Sequence, residues 1–265
     1  MTTSRKYRMA EILIVADAHL AATNVAALAP WSQLMARAAK ADALYILGDL
    51  FDYWVGDDQP IPAEMSVALD QLAALTCQKF FLSGNRDFLV GQALLDRIGA
   101  QSLPDIYQLP WNNQTLVLCH GDTLCTDDTA YQAMRQQLRS PVFRCDFLAK
   151  PLVERIAVAQ GLRARSRTES GSKPEDIMDV NPEAVMALLQ TNQASILIHG
   201  HTHRPAIHRL ESRMNRIVTG DWGDHGWLVA VTPEQITLER FNAQSTEIID
   251  ILPPSAPPPL LRPAE

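Results

Sequence analysis

The chain has 265 residues, of which 47% are apolar and 20% are charged, and these shares are ordinary for a soluble protein with a well-formed core. Its length fits one large α/β domain, or a core domain that carries an insertion. The formal net charge of −7 argues against a general nucleic-acid binder. Four cysteines without a CxxC pair favour reduced thiols in a cytosolic protein over a disulfide framework.

The first residues, 1–9, are polar and basic, and the first apolar run, Ile12–Ala16, is too short for a signal peptide or a spanning helix. We therefore expect a cytoplasmic protein that at most associates with a membrane surface. At the other end, residues 253–265 read PPSAPPPLLRPAE. So much proline favours an extended, disordered tail.

Eight short apolar runs, each bounded by Gly, Asp or Asn, predict strands that are buried on both faces. They are Ile12–Ala16, Ala43–Leu47, Lys79–Ser83, Thr115–Cys119, Ser195–His199, Arg216–Thr219, Trp227–Val231 and Ile236–Phe241. Helical periodicity lies between the early runs, over Val25–Lys40 and Ala63–Leu75. This alternation predicts a layered α/β fold in which the later strands add a second, more hairpin-like sheet.

The segment from Tyr131 to Lys173 interrupts this alternation. It shows no strand pattern, and its apolar residues recur at helical spacing. It carries nine basic and three acidic residues, a net charge of +6 inside a protein of −7. A solvated pair of helices with one packed face would account for the spacing. The charge favours a lid that meets an anionic, apolar ligand or an anionic membrane surface.

Five polar motifs each follow directly after a predicted strand. They are Asp17-Ala18-His19, Gly48-Asp49-Leu50-Phe51-Asp52, Gly84-Asn85-Arg86-Asp87, His120-Gly121-Asp122 and Gly200-His201-Thr202-His203. Ligands of open α/β sheets bind beyond the carboxyl ends of the strands, so these loops can converge on one place. One such motif alone is more often a turn with a capping residue. Five of them in order at strand ends indicate a shared site.

Asp, His and Asn without Cys form a donor set that suits Mn²⁺, Fe²⁺ or Zn²⁺. Seven donors are too many for one tetrahedral ion but suit two ions that share a carboxylate, about 3.5–4 Å apart, as in enzymes that attack phosphorus. His199 lies inside a predicted strand and is interpreted as a buried structural histidine. Asp52, Asp87 and Asp122 are expected to orient ligand histidines or to hold the loops.

At these residues the pattern resembles the calcineurin-like metallophosphoesterase superfamily. Longer segments resemble, within it, the UDP-2,3-diacylglucosamine pyrophosphohydrolase family of lipid A biosynthesis. These segments are GDLFDYWVGDD (48–58), SGNRDFLVG (83–91), HGDTLCTDD (120–128), IMDVN (177–181) and IHGHTHRPAIH (198–208). The resemblance implies a layered α/β/β/α sandwich over residues 10–242, with a helical lid insertion at about 131–173. Residues 243–265 would form a C-terminal extension that ends in the proline-rich tail.

The resemblance also implies a set of ligands and contacts. One Mn²⁺ would be held by Asp17, His19, Asp49 and His203, and a second by Asp49, Asn85, His120 and His201. Substrate contacts would come from Asn85, Arg86, Asp128, Ser166, Ser170, Lys173 and His201. Asn85, Arg86, His120 and His201 would act in catalysis. Ser170 stands where family members carry Asn.

The permanent charge of Arg86 limits the chemistry of this site. A guanidinium is effectively never deprotonated, so Arg86 cannot serve as a general acid at neutral pH. It can bind phosphate oxygens through two donors and stabilise developing charge. This suits a leaving group that needs no proton, such as a phosphate monoester with a second pKa of about 6. The sequence therefore favours cleavage of a pyrophosphate over cleavage of a simple monoester.

The hypothesis is hydrolysis of UDP-2,3-diacylglucosamine by attack of water on the α-phosphorus, which releases UMP and 2,3-diacylglucosamine 1-phosphate. Such a substrate would bring the protein to the inner face of the cytoplasmic membrane as a peripheral protein. There are two alternatives. One is a phosphoesterase that acts on soluble nucleotides or dinucleoside polyphosphates, and the other is a scaffold that has lost catalysis and binds partner proteins. No nucleic-acid partner is expected, and the oligomeric state is open, with a monomer favoured.

Overall fold

The computed structural model describes residues 11–170 and 179–254, and for residues 165–170 it describes the backbone only. Twelve strands are present in this part of the chain. They are β1 (Ile12–Val15), β2 (Ala43–Ile46), β3 (Gln78–Phe81), β4 (Gln101–Ser102), β5 (Ile106–Trp111), β6 (Gln114–Cys119), β7 (Ile196–His199), β8 (Ala206–Arg209), β9 (Asn215–Val218), β10 (Gly226–Val231), β11 (Ile236–Phe241) and β12 (Thr246–Leu252). The helices are α1 (Leu28–Ala38), α2 (Ala63–Ala73), α3 (Gln92–Ile98), α4 (Thr129–Leu138), α5 (Pro141–Leu148), α6 (Leu152–Ser170) and α7 (Pro182–Thr191).

The strands form two sheets. A seven-stranded sheet has the order β12-β11-β10-β1-β2-β3-β4, and a five-stranded sheet has the order β5-β6-β7-β9-β8. In the first sheet β1, β2 and β3 are parallel neighbours, and in the second β6 pairs in parallel with β7. The carboxyl ends of parallel strands lie at one edge, so each sheet presents its strand-end motifs together.

Alternate residues along the strands divide the core into three layers. Ile12 and Ile14 of β1 point toward the other sheet, where Leu116 and Leu118 of β6 complete the inner core. Leu13 of β1 faces the opposite way and packs with helices α1 to α3. The outer face of the second sheet packs on α7. The result is an α/β/β/α sandwich.

All eight strands predicted from apolar runs are present, with ends that differ by at most two residues. The sequence did not indicate β4, β5, β8 or β12. Strand β5 lies at a sheet edge, and its residues alternate between buried and exposed. It contains Pro110, which an edge strand tolerates because the missing backbone N–H can face the side without a neighbouring strand. Strand β12 is largely exposed. Short or half-exposed edge strands have no continuous apolar run to reveal them.

Strand β12 extends the first sheet beyond residue 242. It pairs antiparallel with β11, with an irregularity between Leu238 and Glu239. Arg209 of β8 forms an ion pair with Asp250 of β12 at 2.8 Å, which joins the two sheets at this side. Residues 246–252 are therefore part of the sandwich.

Three helices, α4, α5 and α6, occupy the insertion between β6 and α7. No strand lies between Thr129 and Ser170, in agreement with the sequence pattern. Asp128 begins α4 as its N-cap, because its side chain accepts a hydrogen bond from the Tyr131 amide. Ser140 begins α5 in the same way, with Pro141 in the first turn.

Candidate dinuclear metal site

The five polar motifs meet at the carboxyl ends of β1, β2, β3, β6 and β7. Within the first sheet, the Asp17 amide donates to the carbonyl of Gly48 at 3.1 Å. The two sheets are joined directly at the site, because the His201 amide donates to Asp17 Oδ2 at 2.9 Å. Loops that are far apart in the sequence therefore surround one small volume.

The seven predicted ligands lie together in this volume. Asn85 Oδ1 is 2.8 Å from His120 Nε2 and 2.9 Å from His201 Nδ1. On the other side, His19 Nε2 is 3.4 Å from His203 Nε2. The two sides are connected through two carboxylates. Asp17, His19 and His203 form one group of possible metal donors and Asp17, Asp49 and His120 form another, and in each group the donor atoms lie within 4.8 Å of one another.

Backbone strain is concentrated at these residues. In the described part of the chain, nine non-glycine residues have positive φ, and five of them are predicted ligands. They are Asp17 (56°), His19 (46°), Asp49 (51°), His201 (67°) and His203 (55°). Such conformations cost about 1–3 kcal/mol each and persist where the surrounding structure enforces them, often at functional sites. The strained backbone directs several side chains from neighbouring turns toward one point.

Two glycines allow the loops to approach each other. Gly48 has φ of 85°, which favours glycine, and it lies against the backbone of Gly84. A Cβ on Gly84 would overlap the backbone and carboxylate of Asp49. Glycine at both positions therefore brings the loop after β2 into contact with the loop after β3.

Two of the four predicted ligand histidines, His19 and His201, are held in the neutral form, whereas nearby carboxylates raise the pKa of His120 and His203. Burial lowers the pKa of His201 to about 3, and burial and the nearby Arg86 guanidinium hold the pKa of His19 well below its ordinary value. Both rings are therefore neutral near pH 7, as metal binding requires. His120 Nδ1 donates to the carbonyl of Leu47 at 2.8 Å. This bond turns His120 Nε2 toward Asn85 and Asp49.

The carboxylates at the centre are unusually buried. Asp17 and Asp49 are 0% and 1% exposed. Burial raises the pKa of Asp49. Burial also opposes ionisation of Asp17, but the adjacent His203 holds the pKa of Asp17 below its ordinary value. Asp17 Oδ1 lies 3.5 Å from His203 Nε2 without a hydrogen bond, and it has no hydrogen-bond partner among the described residues.

A buried carboxylate oxygen without a partner is costly unless it binds a cation. The donors around Asp17 Oδ1 are oxygens and imidazole nitrogens, with no sulfur, and they suit Mn²⁺, Fe²⁺ or Zn²⁺. The residues present therefore fit the divalent metal that the motifs predicted.

Arg86 borders both groups of donors. Its amide donates to Asp49 Oδ1 at 2.8 Å, and its Nε lies 3.2 Å from Asp49 Oδ2. Its Nη1 donates to His19 Nδ1 and to Asp52 Oδ1, each at 3.1 Å. The guanidinium is thus oriented by three neighbours at the edge of the metal site.

The other acidic residues of the motifs hold loops and cations rather than ligand histidines. Asp87 accepts hydrogen bonds from the amides of Leu50 and Gly84, both at 2.8 Å, and so joins two ligand loops. Burial and the charge of Asp49 raise the pKa of Asp87 to about 7.

His199 is fully buried and its Nδ1 donates to the Gly200 carbonyl, which fits the predicted structural role.

The predicted substrate contacts are described only in part. Asn85, Arg86, Asp128 and His201 line one cavity, of about 640 Å³. The side chains of Ser166 and Ser170 and all of Lys173 lie outside the described residues.

Several residues at this site were not predicted as parts of it. They lie on α4 or at its C-cap, in the insertion where the sequence showed basic residues and apolar residues at helical spacing. Tyr131 lies 5.9 Å from the His201 ring and donates to Asp122. Arg135 also donates to Asp122, at 2.6 Å, and Arg139 donates to the carbonyl of Gly84 at 2.8 Å. The i, i+4 spacing of the two arginines was the available signal.

The cavity continues from the metal site under the insertion. Its apolar wall is contributed mainly by helices α4, α5 and α6 and the loop after β3. The residues of this wall include Phe88, Leu89, Met134, Leu138, Phe143, Phe147, Val158 and Leu162. Its cations are Arg86, Arg135, Arg139, Arg163 and Arg204. A metal site at one end and an apolar, basic wall at the other can bind a phosphate that is attached to an apolar group.

Comparison with known proteins agrees with this geometry. The sequence model of calcineurin-like phosphoesterases matches residues 10–205. UDP-2,3-diacylglucosamine hydrolases of Salmonella typhi and Serratia proteamaculans are 43% and 41% identical over 235 residues, which cover 86% of this chain and 98% of each relative. Among solved structures, Vacuolar Protein Sorting 29 from Cryptosporidium parvum matches with a TM-score of 0.50 and 11% identity, over 93% of this chain and 100% of that one. That likeness shows the fold alone.

The predicted fold class and superfamily are thus confirmed. The chain belongs to the calcineurin-like phosphoesterase family, within which the bacterial UDP-2,3-diacylglucosamine hydrolases are its relatives.

Proposed function

We propose that the protein hydrolyses the pyrophosphate bond of UDP-2,3-diacylglucosamine in lipid A biosynthesis. Water adds to the α-phosphorus, the bond from that phosphorus to the bridging oxygen breaks, and UMP and 2,3-diacylglucosamine 1-phosphate leave. The observation that carries the proposal is the continuity of the site. Four of the seven proposed metal donors, Asp49, Asn85, His201 and His203, line one end of a cavity whose other lining residues are mostly apolar or basic. The relatives at 41–43% identity are UDP-2,3-diacylglucosamine hydrolases, which supports the same substrate.

Two Mn²⁺ ions are the proposed cofactors. Asp17, His19, Asp49 and His203 would hold one ion, and Asp49, Asn85, His120 and His201 the other. Bound there, the metals would activate water and neutralise charge on the phosphate oxygens.

The protein's own groups orient the phosphate. Arg86 is held by Asp49, His19 and Asp52 with its guanidinium at the metal site, where it can donate to phosphate oxygens. Asn85 and His201 are 2.9 Å apart and offer further polar contacts to the same phosphate. Because Arg86 cannot donate a proton, the site favours a leaving group that is already a weak base. A sugar 1-phosphate meets that condition.

The insertion 131–173 is the proposed lid. Four arginines of its described part bond to the core near the motif loops, which supports a position over the proposed metal site. They are Arg135, Arg139, Arg155 and Arg163. Its apolar side chains would shelter the acyl chains, and its cations would bind the glucosamine phosphate. We also propose contacts from Asp128, Ser166, Ser170 and Lys173.

The same helices carry the proposed membrane contact. Val142 and Val153 are 71% and 73% exposed, and Leu148 is 40% exposed. They lie on α5 and at the start of α6, close to the exposed Arg144 and Lys150. Apolar side chains beside cations suit an anionic lipid surface. Within the described residues, no helix is long and apolar enough to cross a membrane. We therefore propose peripheral association with the inner face of the cytoplasmic membrane.

The decisive experiment is hydrolysis of detergent-dispersed UDP-2,3-diacylglucosamine with Mn²⁺ in ¹⁸O water. We expect the label in UMP, and label in the lipid phosphate would refute attack on the α-phosphorus. The Asn85→Ala variant should lose turnover in the same assay. Competition with a dinucleoside polyphosphate separates the alternatives. Preferential cleavage of the soluble compound would favour the nucleotide hydrolase, and cleavage of neither would favour a binding scaffold.

A further inference from the structure

Asp52 connects the lid to the metal site. It lies in the loop after β2, three residues beyond the ligand Asp49, and its carboxylate accepts from arginines on two sides. Asp52 Oδ1 is 3.1 Å from Arg86 Nη1 and 2.5 Å from Arg163 Nη2. Arg163 belongs to α6, 111 positions along the chain. A single carboxylate oxygen therefore lies between a core arginine and a lid arginine.

The two arginines and the carboxylate are partly shielded from water. The side chains of Arg86, Arg163 and Asp52 are 17%, 18% and 22% exposed. Charge-assisted bonds of this kind are short and stronger than neutral ones, and partial burial reduces their screening by salt. Both arginines also line the cavity beside the metal donors. The carboxylate thus holds two phosphate-binding cations side by side and compensates part of their repulsion.

We propose that Asp52 is a positioning residue through which lid helix α6 controls Arg86. When α6 is closed, Arg163 and Asp52 fix the Arg86 guanidinium at the reacting phosphate. Loss of the Asp52 carboxylate releases Arg86 and α6 together. The inference rests on the proposed binding of phosphate by Arg86, but it does not depend on which phosphate ester is the substrate.

Asp58 provides a matched control. It lies on the same loop and also holds an arginine of α6, since Arg155 Nη1 donates to Asp58 Oδ1 at 2.8 Å. Arg155 contacts the core a second time, through the Val55 carbonyl at 2.6 Å. No hydrogen bond described for Asp58 involves Arg86. Asp58→Asn removes one ionic contact of α6, but Arg155 keeps its bond to the Val55 carbonyl and Arg163 keeps its bond to Asp52, so α6 stays in place and the orientation of Arg86 is intact.

The first test compares Asp52→Asn, Asp52→Glu and Asp58→Asn on two substrates, the lipid nucleotide and the water-soluble diester bis(p-nitrophenyl) phosphate. Asp52→Asn should lower kcat by about 10–100-fold on both, the usual loss when a group that orients a metal-site residue is removed. Asp52→Glu should retain most of the kcat of the unchanged protein, because the longer side chain still brings a carboxylate to both arginines. Asp58→Asn should leave kcat on the soluble diester unchanged. Equal effects of Asp52→Asn and Asp58→Asn would overturn the inference.

The second test is a double-mutant cycle of Asp52→Asn with Arg163→Met. If Arg163 acts through Asp52, the double variant should have nearly the kcat of the worse single variant. The loss of kcat in the double variant should then be smaller than the product of the two single losses by about threefold or more. Losses that multiply would refute the coupling. Hydrogen exchange supplies a readout that needs no turnover, and the amides of α6 around residue 163 should exchange faster in Asp52→Asn.

The outcomes also separate this inference from the proposed substrate. If the protein cleaves the diester but not the lipid nucleotide, the proposed function fails while the Asp52 variants still test the coupling. If it cleaves the lipid nucleotide and Asp52→Asn behaves as Asp58→Asn, the function stands and the coupling is wrong.

Discussion

Replacement of Arg139 by Met tests how the lid supports the metal site. Arg139 Nη2 donates to the Gly84 carbonyl at 2.8 Å and to the Ser83 carbonyl at 3.3 Å. Its guanidinium also lies 5.6 Å from the centre of the Phe88 ring. Gly84 directly precedes the proposed ligand Asn85, so these bonds hold the loop after β3 against the C-terminal end of α4.

The expected loss of stability in Arg139→Met follows from these contacts. A hydrogen bond from a charged donor is worth about 1.5–3 kcal/mol, and a cation–π contact adds about 0.5–1 kcal/mol. The ion pair with Asp105 adds little, because that carboxylate is 51% exposed. Met retains the apolar stem over Phe88, so we expect a loss of about 2–4 kcal/mol in the free energy of unfolding. Because the ligand loop is released, Mn²⁺ affinity should fall by about 10–100-fold.

Urea unfolding of the metal-free protein and Mn²⁺ titration measure the two effects. Arg144→Met is the control, since Arg144 is an exposed lid arginine and its replacement should change stability by less than about 0.5 kcal/mol. If Arg139→Met matches Arg144→Met in both measurements, the carbonyl bonds do not hold the loop and the reasoning is refuted.

Three further predictions concern the metal site and acid stability. Chelation should lower the melting temperature and Mn²⁺ should restore it, and calorimetry should show that Asp17→Asn abolishes this response because the buried carboxylate is gone. Gly84→Ala should reduce bound Mn²⁺ below two per chain by elemental analysis, because the added Cβ overlaps Asp49. Burial would raise the pKa of Asp179, but its neighbours, Arg216 among them, lower it below the ordinary value. A carboxyl with a lowered pKa stabilises the fold fully above pH of about 4 and loses this contribution as the pH falls through the lowered pKa. Urea unfolding of Asp179→Asn should therefore show a shallower loss of stability below pH 4 than the unchanged protein, and an equal slope would contradict the role of Asp179.

The core strands could be predicted because they are buried on both faces. The run Ile12–Ala16 has five buried apolar residues in succession, a pattern that distinguishes it from helices and loops. The edge strands β5 and β12 escaped prediction for the opposite reason. Buried and exposed residues alternate along β5, and Asp250 interrupts the apolar residues of β12, so neither strand presents a continuous apolar run.

The sequence alone determined the donor types and their positions at strand ends. Asp17, Asp49 and His120 each follow a strand by one or a few residues, and parallel pairing places the ends of neighbouring strands at one edge. This local rule links chain position to position in space without knowledge of the whole fold.

Only the tertiary structure decided which groups meet across elements. The bond from the His201 amide to Asp17 depends on how the two sheets stack, and the pairing of Asp52 with Arg163 depends on where α6 crosses the site. The sequence showed a basic helical insertion, and its charge could equally have faced solvent. Contacts between residues that are 111 or 184 positions apart in the sequence depend on how the sheets pack and where the helices lie, which no local pattern encodes.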